Sequence, residues 1–207
     1  MSRAATQRQT DRREEILNAA QRCFARSGFH GASMQEICAE AQISPGGLYR
    51  YFASKEAIMA AIAERDRADA AANFAAVADI PDVLKGLEGL ARHYLIDRPA
   101  DDIAVCAEIR TESRRNPEIA RIHHAINSDV EAGLVGVLKK AVERGEIPAD
   151  LDLERIVIVL LAIGDGIEWR RAVEPDFDVE SLLPYIMQVV RCLLNGRPDA
   201  GPKGEPR

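Results

Sequence analysis

Apolar residues recur three and four apart along almost the whole chain, and no stretch alternates apolar and polar residues as a half-buried strand does. A chain patterned in this way can bury a core only by packing helices on one another, which predicts an all-α fold. Start and stop signals divide the pattern. Asp11-Arg12-Arg13-Glu14 reads as a capping box opening a first helix, with Ile16, Leu17, Ala20, Cys23 and Phe24 on one face and Gly28 at its end. Ser33-Met34-Gln35-Glu36 opens a short second helix carrying Ile37 and Ala41. Ser44-Pro45, a cap followed by proline at the first helical position, opens a third. Ser54-Lys55-Glu56 opens a longer fourth, to about Asn73. Later helices are expected from Pro81-Asp82 to about Ile96, over 102–115, from Asn116-Pro117 to Arg144-Gly145, over 152–173 and over 179–194. The Gly- and Pro-rich tail, 196–207, reads as disordered.

The 207 residues allow one or two domains and a core that needs no disulfide. No segment approaches the ~20 apolar residues of a bilayer span, and the polar first ten residues lack a signal-peptide core, so a cytoplasmic protein with no membrane partner is expected. Cys23, Cys38, Cys106 and Cys192 form no CxxC pair and read as small apolar residues in a reducing compartment. His123 and His124 are adjacent, a poor spacing for a shared metal, and neither a metal nor a cofactor is expected. The net charge of −6 is uneven. Residues 1–55 hold eight Lys and Arg against five Asp and Glu, and the remainder holds 19 against 28. A basic head on an acidic body suits a nucleic-acid-binding module joined to something that leaves nucleic acid alone.

Three short helices within 11–52, the last two separated by a tight turn, make a helix-turn-helix candidate. Ile43, in the turn, is placed to pack back between the helices. The third helix, in Ser44-Pro45-Gly46-Gly47-Leu48-Tyr49-Arg50-Tyr51-Phe52, cannot persist alone, because two glycines cost it roughly 2 kcal/mol of propensity relative to alanine. Leu48 and Phe52, four apart, can anchor it, while glycine leaves its outer face bare for close backbone approach. On composition alone the segment serves equally well as a tight helical corner with two core aromatics.

Residues 11–60 resemble the DNA-binding domain of the tetracycline-repressor (TetR) family. The matching elements are Ile16-Leu17-x-Ala19-Ala20, Phe24, Gly28-Phe29, Ser33-Met34-x-x-Ile37, Ala41-x-Ile43-Ser44 and Leu48-Tyr49-x-Tyr51-Phe52-x-Ser54-Lys55-Glu56. Their order and spacing are highly specific, although they cover only about a quarter of the chain. The resemblance implies a DNA-binding domain over 10–70, with its motif at 33–52, and a helical ligand-binding and dimerisation domain over 75–195. It implies a homodimer on double-stranded operator DNA, each subunit placing its third helix in a major groove. Ser44, Gly46, Gly47 and Tyr49 would then face bases or nearby phosphates, and Ser33 would meet a phosphate at the start of the second helix. Arg50, Tyr51 and Lys55 would hold the DNA backbone. Two positions depart from the family's pattern. Gln42 stands where glycine is common, and a left-handed backbone there would cost roughly 1 kcal/mol. Gly47 stands where Ser or Thr is frequent, which removes one side-chain contact.

The helices over 152–173 and 179–194 are apolar on broader arcs than one core needs, through Ile156, Val157, Val159, Leu160, Ile163 and Ile167, then Leu182, Leu183, Ile186, Val189, Val190 and Leu193. The excess predicts a second buried face, which the resemblance assigns to the homodimer, with Gly164 and Gly166 allowing close approach. The resemblance also implies a pocket for a small, partly hydrophobic effector, with His93, Tyr94, Cys106, Ile109, His123, Asp165 and Trp169 as candidate lining residues. The effector would weaken operator binding through its differential affinity for two arrangements of the dimer. The role so implied is a ligand-responsive regulator, by default a repressor. A regulator whose output is a protein partner is the alternative. A small helical enzyme is a remoter one: Glu108 and Glu112 are four apart, but no Glu-x-x-His pair completes a di-metal core, and no nucleophile–base pair appears.

Overall fold

A computed structural model describes residues 3–174 and 176–195. Nine α-helices occur among them and no strand. They are α1 (Arg3–Gly31), α2 (Met34–Glu40), α3 (Pro45–Tyr49), α4 (Lys55–Ala78), α5 (Val83–Arg92), α6 (Ala100–Glu112), α7 (Pro117–Glu143), α8 (Leu153–Val173) and α9 (Leu183–Leu194). The expected disordered tail, 196–207, lies outside the described residues.

Most of the predicted caps are made. Ser33 Oγ accepts from the Glu36 amide at 3.1 Å and Ser44 Oγ from the Gly47 amide at 3.2 Å. Ser54, Asp82, Asn116 and Asp152 cap α4, α5, α7 and α8 in the same way. The first predicted cap is not one. α1 already runs from Arg3, and Asp11 sits inside it, accepting from the Gln7 side chain at 2.8 Å. A helix interior offers an Asp carboxylate no free backbone N–H, so it binds a side chain one turn away instead. Gly28 does break the helix, with φ 69°, and one further turn reaches Gly31. Past α5 the chain widens into a π-helical turn, His93–Asp97, around which Arg171 donates to the Leu95 carbonyl at 3.0 Å and the Arg98 carbonyl at 3.2 Å.

The packing groups the chain into two units. Among the described residues, one comprises those up to 69 together with 99–128, and the other 70–98 together with those from 129 onward. A break near residue 70 is thus one edge of the division, but α6 and the first part of α7 return to the N-terminal unit. The reason is a shared core: Val105, Ile109 and Ile119 are buried with Ile16, Leu17, Phe24, Ile37, Leu48, Ile58 and Ile62. Three polar links reinforce the join between α1 and α6. Gln21 donates to Asp102 at 2.7 Å, the Phe29 amide donates to Glu108 at 2.9 Å, and His30 Nε2 lies 2.8 Å from the buried Glu112 carboxylate.

In the second unit the inner faces of α5, α7, α8 and α9 and the end of α4 meet around Leu87, Leu90, Val137, Leu138, Val157, Met187, Val190 and Leu194. α8 and α9 bury only part of their apolar surface. Ile158, Val159, Trp169 and Val173 of α8 and Tyr185 and Val189 of α9 are 42–68% exposed. Gly166 also faces open space, whereas Gly164 lies against Leu95.

Candidate nucleic-acid interface

α3 has only five residues and stands because of what surrounds it. Leu48 is completely buried and Phe52 nearly so, which fixes one face against α1 and α2. Tyr49, the next residue after Leu48, is 54% exposed. Ser44, Gly46 and Arg50 are exposed with it, forming a ridge of hydroxyl, bare backbone, phenol and guanidinium. The two glycines differ. A Cβ on Gly46 would meet nothing within 4 Å, but one on Gly47 would come within 2.7 Å of Ile43 Cγ1. Gly47 is therefore small for an inward reason, the packing of the turn, and Gly46 is the position that leaves the outer surface bare.

The turn ahead of α3 is strained and held. Gln42 has φ 51°, in the left-handed region that favours glycine. Arg12, from α1, donates to the Ala41 carbonyl at 3.2 Å and the Gln42 carbonyl at 3.0 Å. This clamp was not foreseen from the sequence. Nothing local marks it, because Arg12 and the two carbonyls lie 29 and 30 residues apart in sequence.

Lys55 takes a different task from the predicted hold on the DNA backbone. Its ammonium donates to the Phe29 carbonyl at 2.7 Å and the Ala32 carbonyl at 2.6 Å, closing the end of α1. A cation is favourable there, because the last carbonyls of a helix lack partners. Tyr51 is half-buried against the core, with the Arg50 guanidinium 5.6 Å from its ring. Ser33 is exposed but already caps α2.

Most of the head's positive charge is satisfied internally. Arg22 pairs with Glu40, and Arg26 with Glu36 and Glu40, tying α1 to α2. The hydrogen bond from Arg26 holds the Glu36 carboxyl below its ordinary value, and the hydrogen bond from Arg22 does the same for Glu40. Arg12 pairs with Glu15 and Arg13 with Glu14. Arg8 and Arg50 are exposed and have no acidic partner among the described residues. Burial pushes the Cys23 and Cys38 thiols up, the wrong direction for a nucleophile.

Two family models match the chain: that of bacterial regulatory proteins of the tetR family, over residues 16–62, and that of the BetI-type transcriptional repressor C-terminal domain, over residues 86–195. The chain belongs to the TetR family. It is accordingly a DNA-binding transcriptional regulator and not an enzyme. Among TetR-family relatives it is 31% identical over 166 residues to the HTH-type transcriptional regulator UidR of Escherichia coli K12, covering 75% of this chain and 79% of UidR. It is 28% identical over 175 residues to the repressor AcnR of Corynebacterium glutamicum, covering 83% of this chain and 88% of AcnR. The structure of Salmonella enterica GusR superposes with a TM-score of 0.75 at 31% identity, over 89% of this chain and 95% of GusR.

The expected effector residues are scattered. Cys106, Ile109 and His123 fall in the first unit, and His93, Tyr94, Asp165 and Trp169 in the second. Ile109 is buried core, and Trp169 is half-exposed on the outer face of α8. The second unit does contain a groove of about 420 Å³ between α4 and α7. It is lined by small and apolar residues, among them Phe74, Ala75, Ala132, Gly133 and Val137, with Asp129 and Lys140 also in its wall. None of the seven expected residues lines it. Tyr94 lies immediately behind, its ring 6.5 Å from that of Phe74 and its hydroxyl accepting from Asn73 at 3.1 Å. His93 sits edge-on to Tyr94, with ring centroids 4.7 Å apart.

Proposed function

We propose that this TetR-family regulator represses transcription as a homodimer whose two α3 ridges occupy the halves of a palindromic operator until a small, partly apolar effector releases it. The observation that carries this reading is the contrast within two consecutive residues: Leu48 is wholly buried and Tyr49 projects beside it. That pair turns hydroxyl, phenol and guanidinium outward on one short helix, as reading base edges in a groove requires. Ser44, Gly46 and Tyr49 face the bases, and Arg50 holds a phosphate.

The dimer is supported by the outward apolar stripes of α8 and α9. Such surface is unfavourable in water and is covered when a second copy docks on it. Half-sites spaced about one helical turn, ~34 Å, or a multiple of it, would suit two such ridges. The open groove between α4 and α7 has an apolar lining with Asp129 and Lys140 in its wall, which supports an effector with an apolar body and a polar end.

The test is binding-site selection from random duplexes with the full chain, followed by gel shift. A two-fold-symmetric sequence should emerge, and Tyr49→Ala should bind it ~1–3 kcal/mol more weakly. Enrichment of no sequence would refute the reading. A chain that sediments as a monomer at micromolar concentration would leave the apolar stripes to a different protein.

A further inference from the structure

We infer that Arg8, outside the helix-turn-helix, is a further DNA-holding residue, reaching a backbone phosphate that flanks each half-site. The inference rests on the reading of α3 as the DNA-binding ridge.

The segment Gln7–Arg13 contains no apolar residue, and the first fully buried side chain of α1 is Ile16. Residues 7–11 are exposed throughout. No core therefore selects these residues, and a helix that is polar all round gains little from folding back on its own protein.

Its position is set by the two arginines that follow. Arg12 donates to Ala41 and Gln42, the turn that leads into α3. Arg13 stacks on Phe52, just beyond the end of α3, with 5.4 Å between guanidinium carbon and ring centroid. α1 thus passes alongside both ends of the recognition segment at residues 12 and 13. Arg8 is four residues earlier, on the face of Arg12 and roughly 6 Å further along the axis. Side chains on a helix lean toward its N-terminus, which carries the Arg8 guanidinium further from the core.

Charge pairing singles out the same residue. Between residues 7 and 55, the guanidinium or ammonium groups of Arg12, Arg13, Arg22, Arg26 and Lys55 all have carboxylate or carbonyl partners. Arg50 and Arg8 face solvent. Arg50 belongs to the ridge already assigned. Arg8 is the matching cation on the neighbouring helix, and Asp11, the one acid close to it in sequence, is engaged by Gln7. A polyanion running past α3 would meet both.

The experiment measures binding of the full chain and of Arg8→Ala to the selected duplex, and to an unrelated duplex of equal length, between 50 and 200 mM salt. One phosphate contact per subunit predicts that the slope of log K against log salt becomes shallower by about 1.8 in the variant dimer. The advantage of the wild type then shrinks about tenfold across that salt range. The loss should appear on both duplexes, because a phosphate carries no sequence, and Arg8→Lys should restore most of the slope. Thermal unfolding of Arg8→Ala should be almost unchanged, since the side chain is exposed. An unaltered slope in Arg8→Ala, alongside a clear loss in Tyr49→Ala, overturns the role of Arg8 and leaves the ridge intact. If neither variant changes binding, or the wild type selects no sequence, the ridge reading fails and the Arg8 assignment falls with it.

Discussion

α3 and α9 both bury one face and present the other, yet their outward faces are opposites. α3 presents Ser44, Gly46, Tyr49 and Arg50 from behind a wholly buried Leu48. α9 presents Tyr185 and Val189, joined by Ile158, Val159, Trp169 and Val173 of α8, over an inner row of Leu183, Met187, Val190 and Leu194. Hydroxyls and guanidinium are at ease in water and exchange it readily for a charged polymer. Exposed Ile and Val forgo roughly 25 cal/mol for every Å² left uncovered. One surface can therefore wait for its partner in water, whereas the other calls for a standing partner. The repressor proposed above, leaving its operator while remaining a dimer, would use this asymmetry.

The largest effect should come from making the second face resemble the first. In the proposed dimer, Ile158→Glu combined with Val189→Glu would place unpaired charge in the interface, at roughly 3–5 kcal/mol for each buried charge. Sedimentation should show the mass falling to that of one chain at micromolar concentration, with helicity retained because both side chains point outward. A dimer of unchanged affinity would place the interface elsewhere.

The converse change removes the inner support of α3. Leu48→Ala should cost about 2–5 kcal/mol of folding stability in a denaturant titration, because a fully buried leucine leaves a cavity. DNA binding should fall with it. Tyr49→Ala should alter stability by less than about 0.5 kcal/mol while still weakening DNA binding, so that the two neighbours separate packing from recognition. If Leu48→Ala proved harmless, the claim that α3 depends on its buried face would fail.

Relief of the turn should be smaller. Gln42→Gly removes the left-handed strain at φ 51° and should raise stability by at most about 1 kcal/mol, since glycine's looser unfolded chain offsets part of the gain. A lower unfolding midpoint would mean that the Gln42 side chain contributes more than its backbone costs.

Much of this was legible in the residues, and the misses have physical causes. Ser33, Ser44, Ser54 and Asp82 each accept a local amide, because a cap is decided within three residues. The double-sided apolar arcs of α8 and α9 were also visible, since periodicity reports how many faces want burial. What periodicity cannot report is which helix meets which. The resemblance put Ile109 in an effector pocket, whereas α6 packs it against α1, and it put Lys55 on the DNA backbone, whereas the carbonyls of Phe29 and Ala32, over twenty residues away in sequence, take its ammonium. Asp11 misled for a different reason. A capping box matches four residues and takes no account of a polar helix already running from Arg3.

The smallest predicted effect concerns acid. Arg26 holds the Glu36 carboxyl, and Arg22 the Glu40 carboxyl, below the ordinary value of 4.5, each chiefly through a side-chain hydrogen bond. A carboxyl depressed in the folded state binds its proton less readily there than in the unfolded chain. The tie from α1 to α2 therefore contributes fully at pH above 4.5 and is lost as pH falls through the depressed folded-state value. These groups are exposed, so screening keeps the contribution modest and raised salt should reduce it. Arg26→Ala should lower stability slightly near neutrality and converge with the wild type in acid, which flattens the acid limb of a stability-against-pH curve. An acid limb identical in wild type and variant would show that the Arg26 ion pairs with Glu36 and Glu40 add nothing to stability.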